Sequence, residues 1–274
     1  MYQNTQEVIV AILSGAKSIS SSALKAGKTS TKEFLEYYLQ PKESKSYFDF
    51  GNALELFLIN ETEFYAKVAI MDESKRPAPD KDYKTTANKD WKAQFYANNP
   101  DKLIIPATGK ESFETIQTLK SLAKKHPSYD LLQMGEYQKA FTWTCPITGL
   151  KRYSRPDIVV PNLNLIIDIK TDASDDFARS ASNNDHWLQA LDQIQGAIAS
   201  GEMKRVDAYY WVVFEKTSPH VTFYTLDLDG LLPVETVQER TLRRIKEDLE
   251  SGVDIVRRDM PVKRLKVPTY YAKD

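Results

Sequence analysis

The most constraining feature of this 274-residue chain is a short apolar stretch, Leu163 to Lys170, that ends in charged residues. Side chains on a β-strand alternate between two faces, so Leu165 and Ile167 point one way. Asp168 and Lys170 then lie side by side on the other face, at the end of the strand. The pattern therefore predicts a strand whose apolar face is buried and whose charged end is held in a fixed place.

The segments around this strand predict an α/β fold with a mixed central sheet flanked by helices. After residue 136 the hydrophobic period changes from helical to strand-like, in the order β-hairpin, strand, helix, strand, strand, helix. The predicted elements are strands at Tyr137 to Cys145, Lys151 to Val160 and Leu163 to Lys170, a helix at Asp185 to Ser200, strands at Val206 to Phe214 and Val221 to Leu228, and a helix at Pro233 to Ser251.

The first 130 residues are predicted to be mainly helical. Apolar residues follow helical spacing in Phe48 to Phe64 and again in residues 109–125, whereas 72–102 mix prolines, charges and aromatic residues without a clear period. No Gly/Ser linker separates this region from the strands. We therefore expect one domain over 1–274, in which residues 1–130 are mainly helical, residues 131–260 form the sheet core and residues 261–274 form a tail.

The composition excludes several classes of protein. With one cysteine, Cys145, the chain can form neither an internal disulfide nor a four-cysteine iron-sulfur cluster. It has no long apolar run and no basic flank before an apolar segment, so we expect a cytoplasmic protein that does not enter a membrane. The net charge of -1, from 37 basic and 38 acidic residues, does not indicate a polyanionic partner, so DNA binding would need locally clustered positive charge.

Acidic residues are predicted to converge at the charged end of the strand. Asp157, in the sequence Arg-Pro-Asp, lies on the neighbouring predicted strand, and Glu136 stands at the start of the hairpin. Carboxylate oxygens suit a hard cation such as Mg²⁺, and the ammonium group of Lys170 can orient a water or stabilise charge on a phosphate. Phosphodiester hydrolysis needs this set. The alternative is a structural Asp168–Lys170 pair at a sheet edge.

Three more residues have two or more interpretations. Gln189 and Gln193 share one face of the predicted helix, where they either contact a water or a phosphate or form a section of a solvated surface. Glu55 lies among apolar residues, where it is a metal ligand, a member of a buried ion pair, or a side chain that reaches the surface. His186 is interpreted as a local polar or capping contact.

Along nearly its whole length, the sequence resembles the exonuclease VIII (RecE)-like nucleases. These belong to the RecB-type branch of the PD-(D/E)XK superfamily, whose fold is restriction-endonuclease-like. The segments that carry the resemblance are Ser18-Ile-Ser-Ser-Ser-Ala-Leu24, Phe50-Gly-Asn-Ala-Leu-Glu55, Glu63-Phe64, Glu136, Thr148-Gly149, Arg155-Pro-Asp157, Asp168-Ile-Lys-Thr171, Gln189 and Tyr271-Ala-Lys273.

The resemblance implies roles for particular residues. Asp157 and Asp168 match the family's metal-binding aspartates, Lys170 its catalytic lysine, Glu136 an upstream acid near the metal, and Gln189 a glutamine on the following helix. The family implies Mg²⁺, with Mn²⁺ as a substitute. It also implies a ring-shaped homotetramer that degrades one strand of duplex DNA from its end, 5′ to 3′, and leaves 3′ single strands for an annealing protein in recombination.

The chain departs from the family at two positions. Glu55 stands where relatives often have histidine, and Gln193 where they often have tyrosine. The first change leaves a possible metal ligand of different type, and the second changes a position that we assign to substrate contact. Further candidates for DNA contact are Arg152, Arg155 and the Lys/Arg residues of 257–266.

Two alternative functions stay open from the sequence. One is an endonuclease of the same superfamily, which closed circular DNA would distinguish from an exonuclease. The other is a non-catalytic DNA-binding relative, which would bind neither Mg²⁺ nor Mn²⁺.

Overall fold

A computed structural model describes residues 4–40, 46–79, 83–173 and 176–251. Its α-helices are α1 (Thr5–Leu13), α2 (Ser21–Thr29), α3 (Thr31–Leu39), α4 (Ser46–Ile59), α5 (Glu61–Lys67), α6 (Thr86–Ala97), α7 (Phe113–Ala123), α8 (Phe177–Asn183), α9 (His186–Ala199) and α10 (Leu232–Ser251). Its strands are β1 (Ile19–Ser20), β2 (Val68–Met71), β3 (Leu103–Pro106), β4 (Glu136–Tyr137), β5 (Phe141–Thr144), β6 (Lys151–Ser154), β7 (Ile158–Val160), β8 (Leu165–Asp172), β9 (Ala208–Glu215) and β10 (His220–Thr225).

The largest sheet is mixed, as the sequence predicted. Its five strands follow the order β10-β9-β8-β7-β4. Strand β8 pairs in parallel with β9 and antiparallel with β7, while β10 and β4 complete the sheet through antiparallel pairs. A parallel pair needs a long crossover connection, and here α8 and α9 supply it between β8 and β9. The prediction of a helix-flanked mixed sheet is confirmed.

One face of this sheet forms the hydrophobic core. Leu165 and Ile167 of β8 pack in a buried cluster with Val212 of β9, together with apolar side chains of α4 and α7 such as Leu54 and Leu119. The alternation along β8 leaves Asp168 and Lys170 off this apolar face, as the sequence predicted. Truncating such a buried leucine to alanine lowers the free energy of unfolding by about 2–5 kcal/mol. This packing therefore fixes the position of Asp168 and Lys170 on the opposite face of β8.

The chain divides into two compact units, which we describe separately. In the first, the described segments are 4–40, 144–152 and 233–251; the second comprises 46–79, 83–143, 153–173 and 176–232. The first unit is helical: a Cβ on Gly27 of α2 would lie 2.6 Å from Ile245 of α10, and Thr31 donates a hydrogen bond of 2.6 Å to Asp248. The expectation of one domain stays a prediction.

Two predicted strands are interrupted in the structure. The predicted strand Tyr137 to Cys145 is divided between β4 and β5, which belong to different sheets, because Gln138 has a left-handed backbone with φ of 52°. The predicted strand Lys151 to Val160 is likewise divided into β6 and β7, with Pro156 and Asp157 in the gap. Neither break is visible as a change of hydrophobic period.

The helical N-terminal region contains a short parallel sheet that the sequence analysis missed. Strands β2 and β3 pair over four residues, with Val68 opposite Leu103. Four apolar residues are too few to show a strand period, which explains the omission. Helix α6 (Thr86–Ala97) lies within residues 72–102, where the sequence shows no clear hydrophobic period. None of the helices within the described ranges is both long and apolar enough to cross a membrane.

Candidate active site

The two aspartates of the predicted site come together where β7 begins, beside the middle of β8. Ile158 pairs with Ile167 in the antiparallel register, so the residues that flank this pair, Asp157 and Asp168, lie opposite each other. The backbone N–H of Ile169 donates a hydrogen bond of 2.6 Å to Asp157 Oδ2. Strand pairing therefore holds Asp157 against the middle of β8, which continues to Asp172, two residues beyond the predicted end at Lys170.

Lys170 lies beside Asp168, as strand alternation predicts. Its ammonium nitrogen forms an ion pair with Oδ2 of Asp168, whose side chain is almost fully buried at 1% exposure. The same oxygen accepts no hydrogen bond of regular geometry. The Asp168 side of this ion pair is buried, and Asp168 Oδ2 can still accept a further cationic partner.

Glu55 brings a third carboxylate to this end of the sheet. It extends from α4, which packs on the apolar face of β8, and it is half-buried. The side-chain amide of Gln138 donates to Glu55 Oε1 and, at 3.4 Å, to Asp157 Oδ1. These contacts do not fit the interpretation that Glu55 reaches the surface, and they leave a metal ligand and a buried ion pair as the other two interpretations.

The proximity of these carboxylates changes their acidity. Burial, followed by the charges of Asp168 and Glu55, raises the pKa of Asp157 well above its ordinary value. Burial is also the largest cause of the raised pKa of Glu55, and the charge of Asp168 adds to it. The positive charge of Lys170 opposes both effects without cancelling them. Without a further cation, the folded protein therefore favours the protonated forms of Asp157 and Glu55.

Helix α9 supplies a set of amide groups that hold Asp168. The side-chain nitrogens of Gln189 and Gln193 donate to its Oδ1 at 3.2 Å and 3.1 Å. Gln189 also accepts a 3.5 Å hydrogen bond from Lys170, and the buried hydroxyl of Tyr209 donates to Gln193 at 2.7 Å. The expectation that Gln193 contacts DNA is wrong, because its side chain is buried and faces Asp168.

Arg152 does not fit its expected role, and Glu136, whose role stays a prediction, lies apart from the three carboxylates. Arg152 is 1% exposed and its Nε donates to the carbonyl of Ile19, so it is not presented to DNA. Glu136 is exposed and forms a 3.0 Å ion pair with Lys139, and Gln138 takes the place beside the carboxylates that was assigned to it. The backbone turn at Gln138 decides this exchange, and nothing in the sequence indicates it. The Lys/Arg residues of 257–266 lie outside the described residues.

His186 stands at the first position of α9, as expected for a residue with a local role. Its ring stacks with Phe177 at a centroid distance of 6.0 Å. Tyr209 was not identified from the sequence, although its position on β9 directly opposite Ile166, on the charged face of β8, was a usable signal.

The cluster fits a hard divalent cation in its donor chemistry. Mg²⁺ and Mn²⁺ prefer carboxylate oxygen. Burial is the largest cause of the raised pKa of Asp157, and a bound cation would relieve the second cause, the repulsion from Asp168 and Glu55. Across the described ranges, no three acidic, histidine or cysteine side chains already form a complete metal-binding group. Mg²⁺ keeps several of its waters and needs only one or two protein carboxylates, so Asp157 and Asp168 suffice, with Glu55 as a further donor.

A cavity of about 500 Å³ opens beside the cluster. Glu55 and Gln138 line it on the side of the aspartates, together with the exposed Arg155, and Leu56 and Tyr137 contribute apolar walls. Glu55 is therefore the carboxylate of the cluster that faces this space, and Arg155 places a cation at the same wall.

Comparison with known proteins gives a fold but no family. No protein-family model and no curated protein matches the chain. A crystal structure of a candidate exonuclease from Eubacterium rectale is similar, with a TM-score of 0.58 and 14% identity over 99% of this chain and 98% of that one. The structure of SSO0001 gives a TM-score of 0.29 at 14% identity, over 85% of this chain and 86% of that one, which is too low to indicate a shared fold. The chain thus has the helix-flanked mixed-sheet fold of a protein described as a candidate exonuclease.

Proposed function

We propose that this protein is a divalent-metal-dependent deoxyribonuclease that hydrolyses phosphodiester bonds in DNA. The observation that carries the proposal is the convergence of Glu55, Asp157 and Asp168 with Lys170 beside the middle of strand β8. A purely structural Asp–Lys pair has no need for two more carboxylates beside it. Ionising these neighbouring acids is unfavourable, as their raised pKa values indicate, unless a cation compensates their charge.

Each residue has a task in the proposed reaction. Asp157 and Asp168, with Glu55, would hold Mg²⁺, for which Mn²⁺ can substitute. When bound, the ion neutralises the phosphate and lowers the pKa of the attacking water. Lys170 orients that water or stabilises the charge that develops on the phosphate, and Gln189, hydrogen-bonded to both Lys170 and Asp168, keeps the two groups in register.

We further propose that the substrate is the end of linear duplex DNA. Two observations support an exonuclease: the resemblance of the Arg155-Pro-Asp157 and Asp168-Ile-Lys-Thr171 segments, and the fold shared with a candidate exonuclease. By the same resemblance, digestion runs 5′ to 3′ and yields 3′ single strands for recombination. A ring-shaped homotetramer and an annealing partner belong to this proposal.

The test compares Asp168→Asn with the wild-type protein on linear duplex labelled at its 5′ or 3′ end. Removing a group that holds the metal is expected to lower the Mg²⁺-dependent rate by about 10³-fold or more. The exposed Asp101→Asn is the matched control, because it makes the same change outside the cluster, and it is expected to keep full activity. Circular dichroism checks that both variants are folded.

The substrate series separates the alternatives. An exonuclease digests the linear duplex and spares a closed circle, whereas an endonuclease cuts both. Release of the 5′ label ahead of the 3′ label supports the proposed polarity. Undiminished digestion by Asp168→Asn, or digestion that persists in EDTA, would overturn the proposed mechanism.

A further inference from the structure

The backbone of Gln138 has a conformation that is unfavourable for most residues other than glycine. Its φ of 52° lies in the left-handed region, which favours glycine and asparagine over other residues. Two contacts fix it there: its backbone N–H donates to the Asp157 carbonyl at 2.9 Å, and its side chain reaches between Glu55 and Asp157. Strain of this kind persists where the surrounding structure maintains it, and it concentrates at functional sites.

The side-chain amide of Gln138 stabilises the two carboxylates side by side, as a cation between them would. Its nitrogen, the positive end of the amide dipole, donates to one oxygen of each of two neighbouring acids. Lys170 lies against Asp168, so its ammonium group is engaged elsewhere in the cluster. A divalent ion held by Glu55 and Asp157 would compete with this amide for Glu55 Oε1 and Asp157 Oδ1, since Asp157 Oδ2 already accepts from the backbone of Ile169.

We propose that Gln138 is a positioning residue that stands in for the metal: it holds Glu55 and Asp157 together in the metal-free protein and releases them when a divalent ion binds. This inference rests on the proposed function, because it presumes a metal site at these carboxylates. By thermodynamic linkage, hydrogen bonds that exist only in the metal-free state oppose metal binding. Gln138 therefore weakens metal affinity while it stabilises the metal-free protein.

Gln138→Leu tests this by removing both hydrogen bonds while keeping a side chain of similar size. Its Tm in EDTA is expected to fall below that of the wild type, and the deficit is expected to close at saturating Mn²⁺. Calorimetric titration with Mn²⁺ alone, without DNA, is expected to give about tenfold tighter binding, the effect of losing one charged hydrogen bond in the metal-free state only.

Two further variants complete the experiment. Gln138→Asn tolerates the left-handed backbone but is too short to bridge both acids, so it is expected to change metal affinity in the same direction. Gln133→Leu is the matched control: Gln133 donates at 3.3 Å to the carbonyl of Leu58 and to no carboxylate of the cluster. Its Tm is expected to change equally with and without Mn²⁺.

The outcomes distinguish this inference from the proposed function. If the wild type binds Mn²⁺ but both Gln138 variants bind it equally or more weakly, the stand-in role is wrong and the nuclease proposal stands. A Tm deficit of Gln138→Leu that is the same in EDTA and in Mn²⁺ would also mark a merely structural residue. No Mn²⁺ binding by the wild type would overturn both.

Discussion

Two lysines of the same unit, the buried Lys120 and the half-buried Lys170, have different surroundings. Lys120 of α7 donates to the carbonyl of Phe57 and, at 2.7 Å, to the carboxylate of Glu61. Its nitrogen also lies 4.4 Å from the centre of the Phe57 ring. One cation thus meets one anion and a carbonyl, an arrangement that satisfies the ammonium group and fixes α7 against the end of α4.

Lys170 is surrounded differently. It lies against Asp168, and its charge also lowers the pKa values of Asp157 and Glu55. One lysine thus faces three acids, and the charge of Arg155 acts on Glu55 as well. Such a cluster contributes little to stability without a further cation. We expect Lys120 to stabilise the fold, whereas Lys170 belongs to the proposed metal site.

Substituting methionine for each lysine tests this distinction most strongly. Lys170→Met is expected to lower the Mg²⁺-dependent cleavage rate by about 10²–10³-fold, because it removes a group that acts on the developing charge. Lys120→Met is expected to leave the rate per folded molecule unchanged and to lower the free energy of unfolding by about 2 kcal/mol, through the loss of its hydrogen bonds. The measurements are single-turnover cleavage and urea unfolding on both variants. An activity loss in Lys120→Met that exceeds its unfolded fraction would contradict the division.

The same comparison explains what the sequence predicted well. The meeting of Asp157, Asp168 and Lys170 follows from two local rules, strand alternation and the pairing of neighbouring strands, and both rules are visible in apolar residues such as Ile167. The mixed sheet follows from the order of elements for the same reason. These features depend on short-range patterns that the hydrophobic core enforces.

The remaining features depend on contacts that no local pattern encodes. The backbone turn at Gln138 exchanges this residue for Glu136 beside the carboxylates. Gln193 and Arg152 are buried by packing from distant segments, through Tyr209 and Ile19, so their polar character gave the wrong expectation of a DNA contact. Long-range burial is the property that the sequence of one segment does not carry.

The pH dependence of stability is expected to have opposite signs in the two regions. Hydrogen bonding to Lys120 lowers the pKa of Glu61, so the stability this pair provides is present above the ordinary glutamate pKa and is lost as pH falls through the lowered value. The pKa values of Asp157 and Glu55 are raised, so the folded metal-free protein holds protons that the unfolded chain releases. Their contribution therefore falls as pH rises from about 4 through the raised values.

Urea midpoints in EDTA between pH 3 and pH 8 measure these signs. Asp157→Asn is expected to reduce the fall in stability toward neutral pH, and Glu61→Gln is expected to remove a small loss at the acid end. Saturating Mg²⁺ is expected to reverse the fall in the wild type, since the ion stabilises the ionised carboxylates. Identical pH profiles of Asp157→Asn and the wild type would show that the cluster is not strained by its own charge.

The smallest expected effect is on DNA binding by Arg155. This arginine is exposed, yet its charge also lowers the pKa of Glu55 across the cavity. If it contacts a DNA phosphate, Arg155→Ala should weaken duplex binding a few-fold and reduce the slope of log affinity against log salt by about 1. Fluorescence anisotropy in Ca²⁺ at several salt concentrations measures this without requiring cleavage. Arg205→Ala, an exposed arginine already paired with Asp207 at 2.7 Å, is the control and should leave the slope unchanged. An unchanged slope in Arg155→Ala would instead make this arginine a counter-charge for Glu55, and the balance of the cluster would then include one more cation than the lysine alone.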